Sequence, residues 1–164
     1  GKNPTITPLS KKYTIRKCTE KDAQRMAEIY GIVFDTYPFP IDNPDYIVET
    51  MKSHVVYFGI EYKGELIALA SAETDKASKS VEMTDFATLP EYRKRGLAQL
   101  LLSTMEDHME ALGMQTFYTI ARSLSAGMNI TFAKRNYTYG GTLIQNTNIC
   151  GRLESMNVWY KNTG

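Results

Sequence analysis

Metal-binding side chains are scarce in this sequence, which holds two histidines and two cysteines in 164 residues. His54 and His108 have no cysteine or acidic residue at ligand spacing, so no metal ligands are assigned. Cys18 and Cys150 lie far apart with no CxxC pair and read as free thiols of a reducing compartment, although their pairing as a disulfide stays open. Charge of one sign is lacking too. Nineteen basic residues face eighteen acidic ones, a net charge of +1 that excludes a broad basic face for nucleic acid but leaves room for a local anion site. No apolar run approaches the roughly 20 residues of a bilayer crossing, and no charged-then-apolar leader opens the chain, so the expectation is a cytoplasmic protein without membrane contact. The first residue is Gly1 rather than Met, which suggests a trimmed sequence. Repeats, linkers and low-complexity stretches are absent as well.

What is present is ordinary globular material, 43% hydrophobic and 23% charged. The length suffices for one core without covalent staples. Residues 1–12 read as a flexible lead-in, and 13–164 as a single domain. YTIRKC (13–18) alternates like a strand. Thr19 with Asp22 resembles a capping box ahead of Ala23, Met26, Ala27 and Tyr30 at helical spacing. The prolines of DTYPFPIDNP (35–44) end that helix, and a short second one is expected over about 45–52. Residues 54–62 and 66–74 read as a hairpin about the tight turn at KGE. VEMTDFATL (81–89) is a further strand closed by Pro90. Leu97, Leu101, Met105, His108 and Leu112 mark one helix face, with Gly113 as its cap. TFYTIA (116–121), a helix over about 125–135 ended by Asn136, and strands at 142–149 and 155–161 complete a mixed α/β sheet with helices packed on it.

RKRGLA (93–98) joins a strand to a helix. A helix N-terminus presents unpaired N–H groups and a partial positive charge; a glycine admits an anion to the main chain, and Arg and Lys add Coulomb attraction. The six residues suit a phosphate cradle or, equally, a solvated basic turn. They form neither a Walker loop nor a GxGxxG fingerprint.

The wider stretch TDFATLPEYRKRGLAQLLL (84–102) resembles the central motif of the GCN5-related N-acetyltransferases, the GNAT superfamily, with Arg93, Gly96 and Ala98 at its [RQ]-x-x-G-x-[GA] positions. NITFAKRNYTYGGTL (129–143) resembles the next motif, and the order of elements matches the family fold, a mixed six- to seven-stranded sheet with about four flanking helices. The resemblance implies acetyl-CoA as cofactor. Its pyrophosphate would lie on the N–H groups of Lys94, Arg95, Gly96, Leu97 and Ala98, with Arg93 and Arg95 as charge partners. Its arm would pair with main-chain groups near Phe86 and Thr88, and Asn129 would contact it; Phe132 is assigned to the same site.

An amine of pKa about 10.4 must lose a proton before it attacks a thioester, so a general base is needed. Counting back from Gly96, the family's base position is Glu82; Asp85 is the second candidate. Strict strand alternation points the two acids to opposite faces. An amide N–H near Ala87 or Thr88 is the expected oxyanion donor. Where many members carry the tyrosine that protonates the thiolate, this sequence has Phe132, leaving Tyr137, Tyr139, Tyr118 or water for that task. In the 35–44 loop, Tyr37 and Phe39 are candidates to cover the acceptor's methylene chain, and Asp35 or Asp42 to meet its charge, or the loop is only structural.

Residues 118–161, above all ARSLSAGMNITF and NTNICGRLESMNVWYK, resemble the β-lysine N-acetyltransferases, which make the compatible solute N-ε-acetyl-β-lysine. That resemblance implies a small-molecule amine partner acetylated at its terminal amine. Arg122 is a candidate for the substrate carboxylate, and Asn148 and Glu154 for its headgroup. A homodimer is compatible with the sequence. Another amine as acceptor, or an acyl-CoA sensor without turnover, are the alternatives.

Overall fold

The computed structural model describes residues 12–122, 126–146 and 153–163. Eleven elements follow one another: β1 (Tyr13–Lys17), α1 (Ala23–Val33), α2 (Pro44–Lys52), β2 (Val55–Tyr62), β3 (Glu65–Asp75), β4 (Ser80–Thr88), α3 (Leu97–Ala111), β5 (Thr116–Arg122), α4 (Ala126–Lys134), β6 (Thr138–Asn146) and β7 (Leu153–Asn162). The seven strands form one sheet in the order β1-β2-β3-β4-β5-β7-β6. Every neighbouring pair is antiparallel except β4–β5, which is parallel.

Local chemistry accounts for most boundaries. The Thr19 N–H donates to the Asp22 carboxylate at 2.8 Å, ahead of α1. Asn43 caps α2, its Oδ1 accepting from the Asp45 N–H at 2.9 Å, and Pro44 fills the first helical turn where no donor is needed. Lys63 and Gly64 both adopt positive φ, as a two-residue hairpin turn demands. Asn136, at φ +67°, ends the α4 segment in the left-handed region, as its side chain favours. β6 starts at Thr138, four residues before the expected strand, because Tyr139 and Thr138 already pair with β7.

Neighbouring residues of β2 show how the layers are arranged. The Tyr57 hydroxyl meets Thr50 Oγ1 of α2 at 2.8 Å, whereas the ring of Phe58 lies 5.2 Å from that of His108 on α3. Successive strand side chains point to opposite faces, so α2 and α3 cover opposite faces of the sheet. Val81 and Met83 of β4, Leu101, Leu102 and Met105 of α3, and Phe117 of β5 are fully enclosed.

One buried charge ties the second half together. Glu106 of α3 is 3% exposed; its Oε1 accepts from Arg135 at 2.9 Å and its Oε2 from Lys161 at 2.7 Å. Removing it takes away the only carboxylate shared by these two cations among the described residues. Glu106→Ala is expected to cost about 2–3 kcal/mol, seen as a lower urea midpoint at unchanged slope.

Candidate active site

β4 and β5 run side by side only from Ser80↔Thr116 to Glu82↔Tyr118. Beyond that point they separate, and β4 keeps only its β3 partner among the described residues. The Leu89 N–H donates to the Ile67 carbonyl on the β3 side. Alternation along the strand therefore turns the amides of Phe86 and Thr88 towards the open side and that of Ala87 towards β3. Of the two expected oxyanion donors, only Thr88 stands on the open edge.

A cleft of about 550 Å³ follows this edge, between Phe86 and Thr88 of β4, Phe34 after α1, Met128 and Thr131 of α4, and Arg93, Lys94 and residues 96–99 at the start of α3. In the turn, Lys94 (φ +63°) and Gly96 (φ +75°) are both left-handed, a geometry that gathers successive N–H groups into a concave anion nest. A Cβ placed on Gly96 would meet nothing within 4 Å, so the space in front of the turn is open. Arg93, Lys94, Gly96, Leu97 and Ala98 line the cleft. Arg95 does not. Its guanidinium donates to the Tyr13 hydroxyl at 2.6 Å and lies 5.3 Å over the Tyr92 ring, which leaves Arg93 and Lys94 as the cleft's cations in this turn.

A second cavity, about 1200 Å³, has Glu82, Glu73, Tyr118 and His54 on its wall. Glu73 and Glu82 are directly paired across β3 and β4. Burial, then the charges of Glu73 and Asp85, push the Glu82 carboxyl up to about 7. The alternation that separates Glu82 from Asp85 is broken by a bulge. Leu69 pairs with Ala87 and Ser71 with Thr84, so one β3 residue faces two on β4, and Asp85 takes φ +52°. The Asp85 carboxylate accepts from Ser71 Oγ at 2.6 Å. Ser71 shares its face with Glu73, which opposes Glu82, so both acids lie on one face, contrary to the simple strand expectation. The Tyr37 hydroxyl also donates to Asp85. Burial raises the Asp85 carboxyl and both donors oppose that rise; burial and the Asp85 charge push the Tyr37 phenol well up.

Other candidates sit elsewhere. Tyr137 is 5% exposed, its ring 4.9 Å from Phe132, and its hydroxyl is enclosed, with burial and then the Glu106 charge pushing the phenol well up. Phe132 in turn packs edge-on against Phe86 at 5.8 Å, behind the cleft wall. Asn129 Oδ1 accepts from the Trp159 indole at 2.7 Å and from Asn157 at 3.1 Å, which fastens α4 to β7. Phe39 is 57% exposed, while Tyr37 is drawn in. Arg122 ends β5 and Glu154 lies near the start of β7; Asn148 and Cys150 fall outside the described residues. Ser71, Glu73 and His54, whose ring nitrogen is 3.1 Å from Glu73, carry no motif in the sequence and emerge only from strand pairing. Among the described residues no cluster of metal-binding side chains occurs, and no helix is long and apolar enough to cross a membrane.

The model of the acetyltransferase (GNAT) family matches residues 23–129. The chain belongs to this family. Within GNAT proteins the fold is shared with the Salmonella typhimurium protein yncA, whose structure was solved with its cofactor acetyl-CoA; that chain superposes with a TM-score of 0.79 at 19% identity, over 92% of this chain and 94% of that one. The chain is 52% identical over 161 residues to a β-lysine N(6)-acetyltransferase of Methanococcus maripaludis, and 36% identical over 153 residues to one of Methanosarcina mazei. These alignments take in 98% and 93% of this chain, but 58% and 56% of the relatives, so the GNAT chain spans just over half the length of the curated relatives it matches.

Proposed function

We propose that this chain transfers an acetyl group from acetyl-CoA to the terminal amine of β-lysine. The observation that carries the substrate is the 52% identity, along 98% of the chain, to a relative named for that reaction. The chemistry is supported by the cleft, the open edge of β4 and a carboxyl held near neutrality at Glu82.

Acetyl-CoA fits the site on two counts: Gly96 faces open space at a positive φ, and the amides on one edge of β4 have no strand opposite among the described residues. The N–H groups from Lys94 to Ala98, with Arg93 and Lys94, would hold its diphosphate. Bound there, it supplies the activated acyl group. Glu82 accepts the proton that an ammonium must shed before its nitrogen can attack, a task suited to a base whose pKa lies near the working pH. Glu73 and Asp85 add negative charge around a cationic acceptor, and Tyr37 donates to Asp85. The N–H of Phe86 or Thr88 donates to the carbonyl oxygen as charge builds on it. The Tyr137 hydroxyl is enclosed, which leaves Tyr118, Tyr139 or water to protonate the leaving thiolate.

Thiol release measured with β-lysine, lysine and spermidine tests this assignment. The expected kcat/KM for β-lysine exceeds the others by about tenfold or more, since one unpaired or misplaced polar group costs that much. Equal values would leave a GNAT enzyme for another amine. Tight acetyl-CoA binding with no CoA released by any amine would leave a sensor, the outcome that Phe132 in the usual tyrosine's place favours.

A further inference from the structure

Asp85 occupies a costly conformation. A non-glycine residue at φ +52° inside a strand is strained, and such strain persists only where surrounding contacts hold it. Here the contacts are specific. Tyr37 donates to Oδ1 and Ser71 to Oδ2, so each carboxylate oxygen already has a donor. Glu82, by contrast, has no donor within hydrogen-bond distance among the described residues and opens onto the larger cavity. The two acids share a face and differ in task.

Tyr37 comes from the segment between α1 and α2. Among the described residues, its hydroxyl makes the one side-chain hydrogen bond from residues 34–43 to the sheet. A file of rings carries this contact back into the core: Tyr30 to Phe34 at 5.7 Å, and Phe34 to Tyr37 at 5.2 Å. Phe34 also borders the cofactor cleft, and Tyr37 lies close enough to Glu82 to feel its charge. The segment thus runs from the donor's cleft to the Asp85 carboxylate, on the sheet face that also carries Glu82.

We propose that Asp85 is a positioning residue: through Tyr37, and steadied by Ser71, it clasps the α1–α2 segment onto β4 so that this segment walls the acceptor's approach to Glu82. This rests on the acetyl-transfer reading. Tyr37 and Ser71 touch Asp85; its charge is also felt by Tyr30 of α1, Tyr46 of α2, Tyr57 of β2 and Glu82 of its own strand, and it feels that of Glu73 of β3. None is a cation. Its negative charge therefore acts on Glu82, raising that group's affinity for a proton.

Two variants of the full chain separate the clasp from the charge. Tyr37→Phe removes the hydroxyl and keeps the carboxylate. Asp85→Asn keeps the shape, tolerates a left-handed backbone, and removes the charge. Tyr37→Phe is expected to raise the acceptor KM about tenfold while acetyl-CoA KM stays within about twofold, the loss of one charge-assisted hydrogen bond. Asp85→Asn is expected to move the acid limb of kcat/KM to lower pH by about half a unit, a shift that a purely structural role would not produce. In Tyr37→Phe, which alone removes the clasp's donor, the amides of residues 35–43 exchange faster with solvent when no substrate is present. An unchanged acceptor KM in Tyr37→Phe, equal rises in both KM values, or an unmoved acid limb in Asp85→Asn overturns the proposal. Should the wild-type chain release no CoA with any amine, acetyl transfer falls, and exchange in the 35–43 segment alone then decides whether the clasp exists; unchanged exchange sinks it.

Discussion

Gly96→Asp is expected to abolish acetyl-CoA binding in a calorimetric titration while the protein stays folded. Three effects add. The position sits at φ +75°, where a side chain costs about 1–2 kcal/mol relative to glycine. The new Cβ meets no protein atom within 4 Å, so no clash adds to that backbone cost in the free protein, and the steric penalty falls on whatever ligand occupies the space in front of the turn. The carboxylate would also place negative charge among N–H groups and beside Arg93 and Lys94, the point most favourable to an anion. Gly96→Ala separates steric from electrostatic loss, because it adds the Cβ without the charge; about ten- to a hundredfold weaker binding is expected for it. An Asp variant that still binds within tenfold of wild type would show that the diphosphate lies elsewhere.

The second large effect concerns the base. Glu82→Gln is expected to lower kcat near neutrality by about 10²–10³-fold, the usual worth of a positioned proton acceptor. The sign with pH follows from the direction of its shift. Burial and two neighbouring carboxylates push Glu82 up to about 7, so the proposed base is lost as pH falls through that value. Without a base, the rate follows the fraction of free amine and climbs about tenfold per pH unit towards the amine's own pKa near 10.4. The defect should therefore shrink steadily in alkaline buffer. A variant whose pH profile overlays the wild type takes Glu82 out of the mechanism.

Much of the fold is written locally. Asn43-Pro44, Lys63-Gly64, Gly96 and Asn136 each mark a boundary through the conformations their own backbones prefer, and the order of strands and helices follows from them. Long-range contacts decided what remained hidden. Arg95 belongs to a basic turn by sequence, yet Tyr13, 82 residues away, takes its guanidinium. Asn129 falls at a cofactor position by motif, but its side-chain oxygen accepts from Trp159 and Asn157. The alternation rule failed at Asp85 because a single extra residue in β4 shifts every later side chain. Aspartate is a poor strand former, so the TDF stretch did carry a hint of irregularity. Nothing in the sequence foretold that Ser71 and Tyr37 would both meet that carboxylate.

The parallel seam of three residue pairs between β4 and β5 has a mechanical consequence. It joins two otherwise antiparallel leaves, β1–β4 and β5–β7, and a ligand lying along the unzipped stretch acts as a splint between them. On the proposed acetyl-CoA site, donor binding would stiffen the joint as well as fill a pocket, and any looseness at that joint would weaken the grip on the donor by the same free energy.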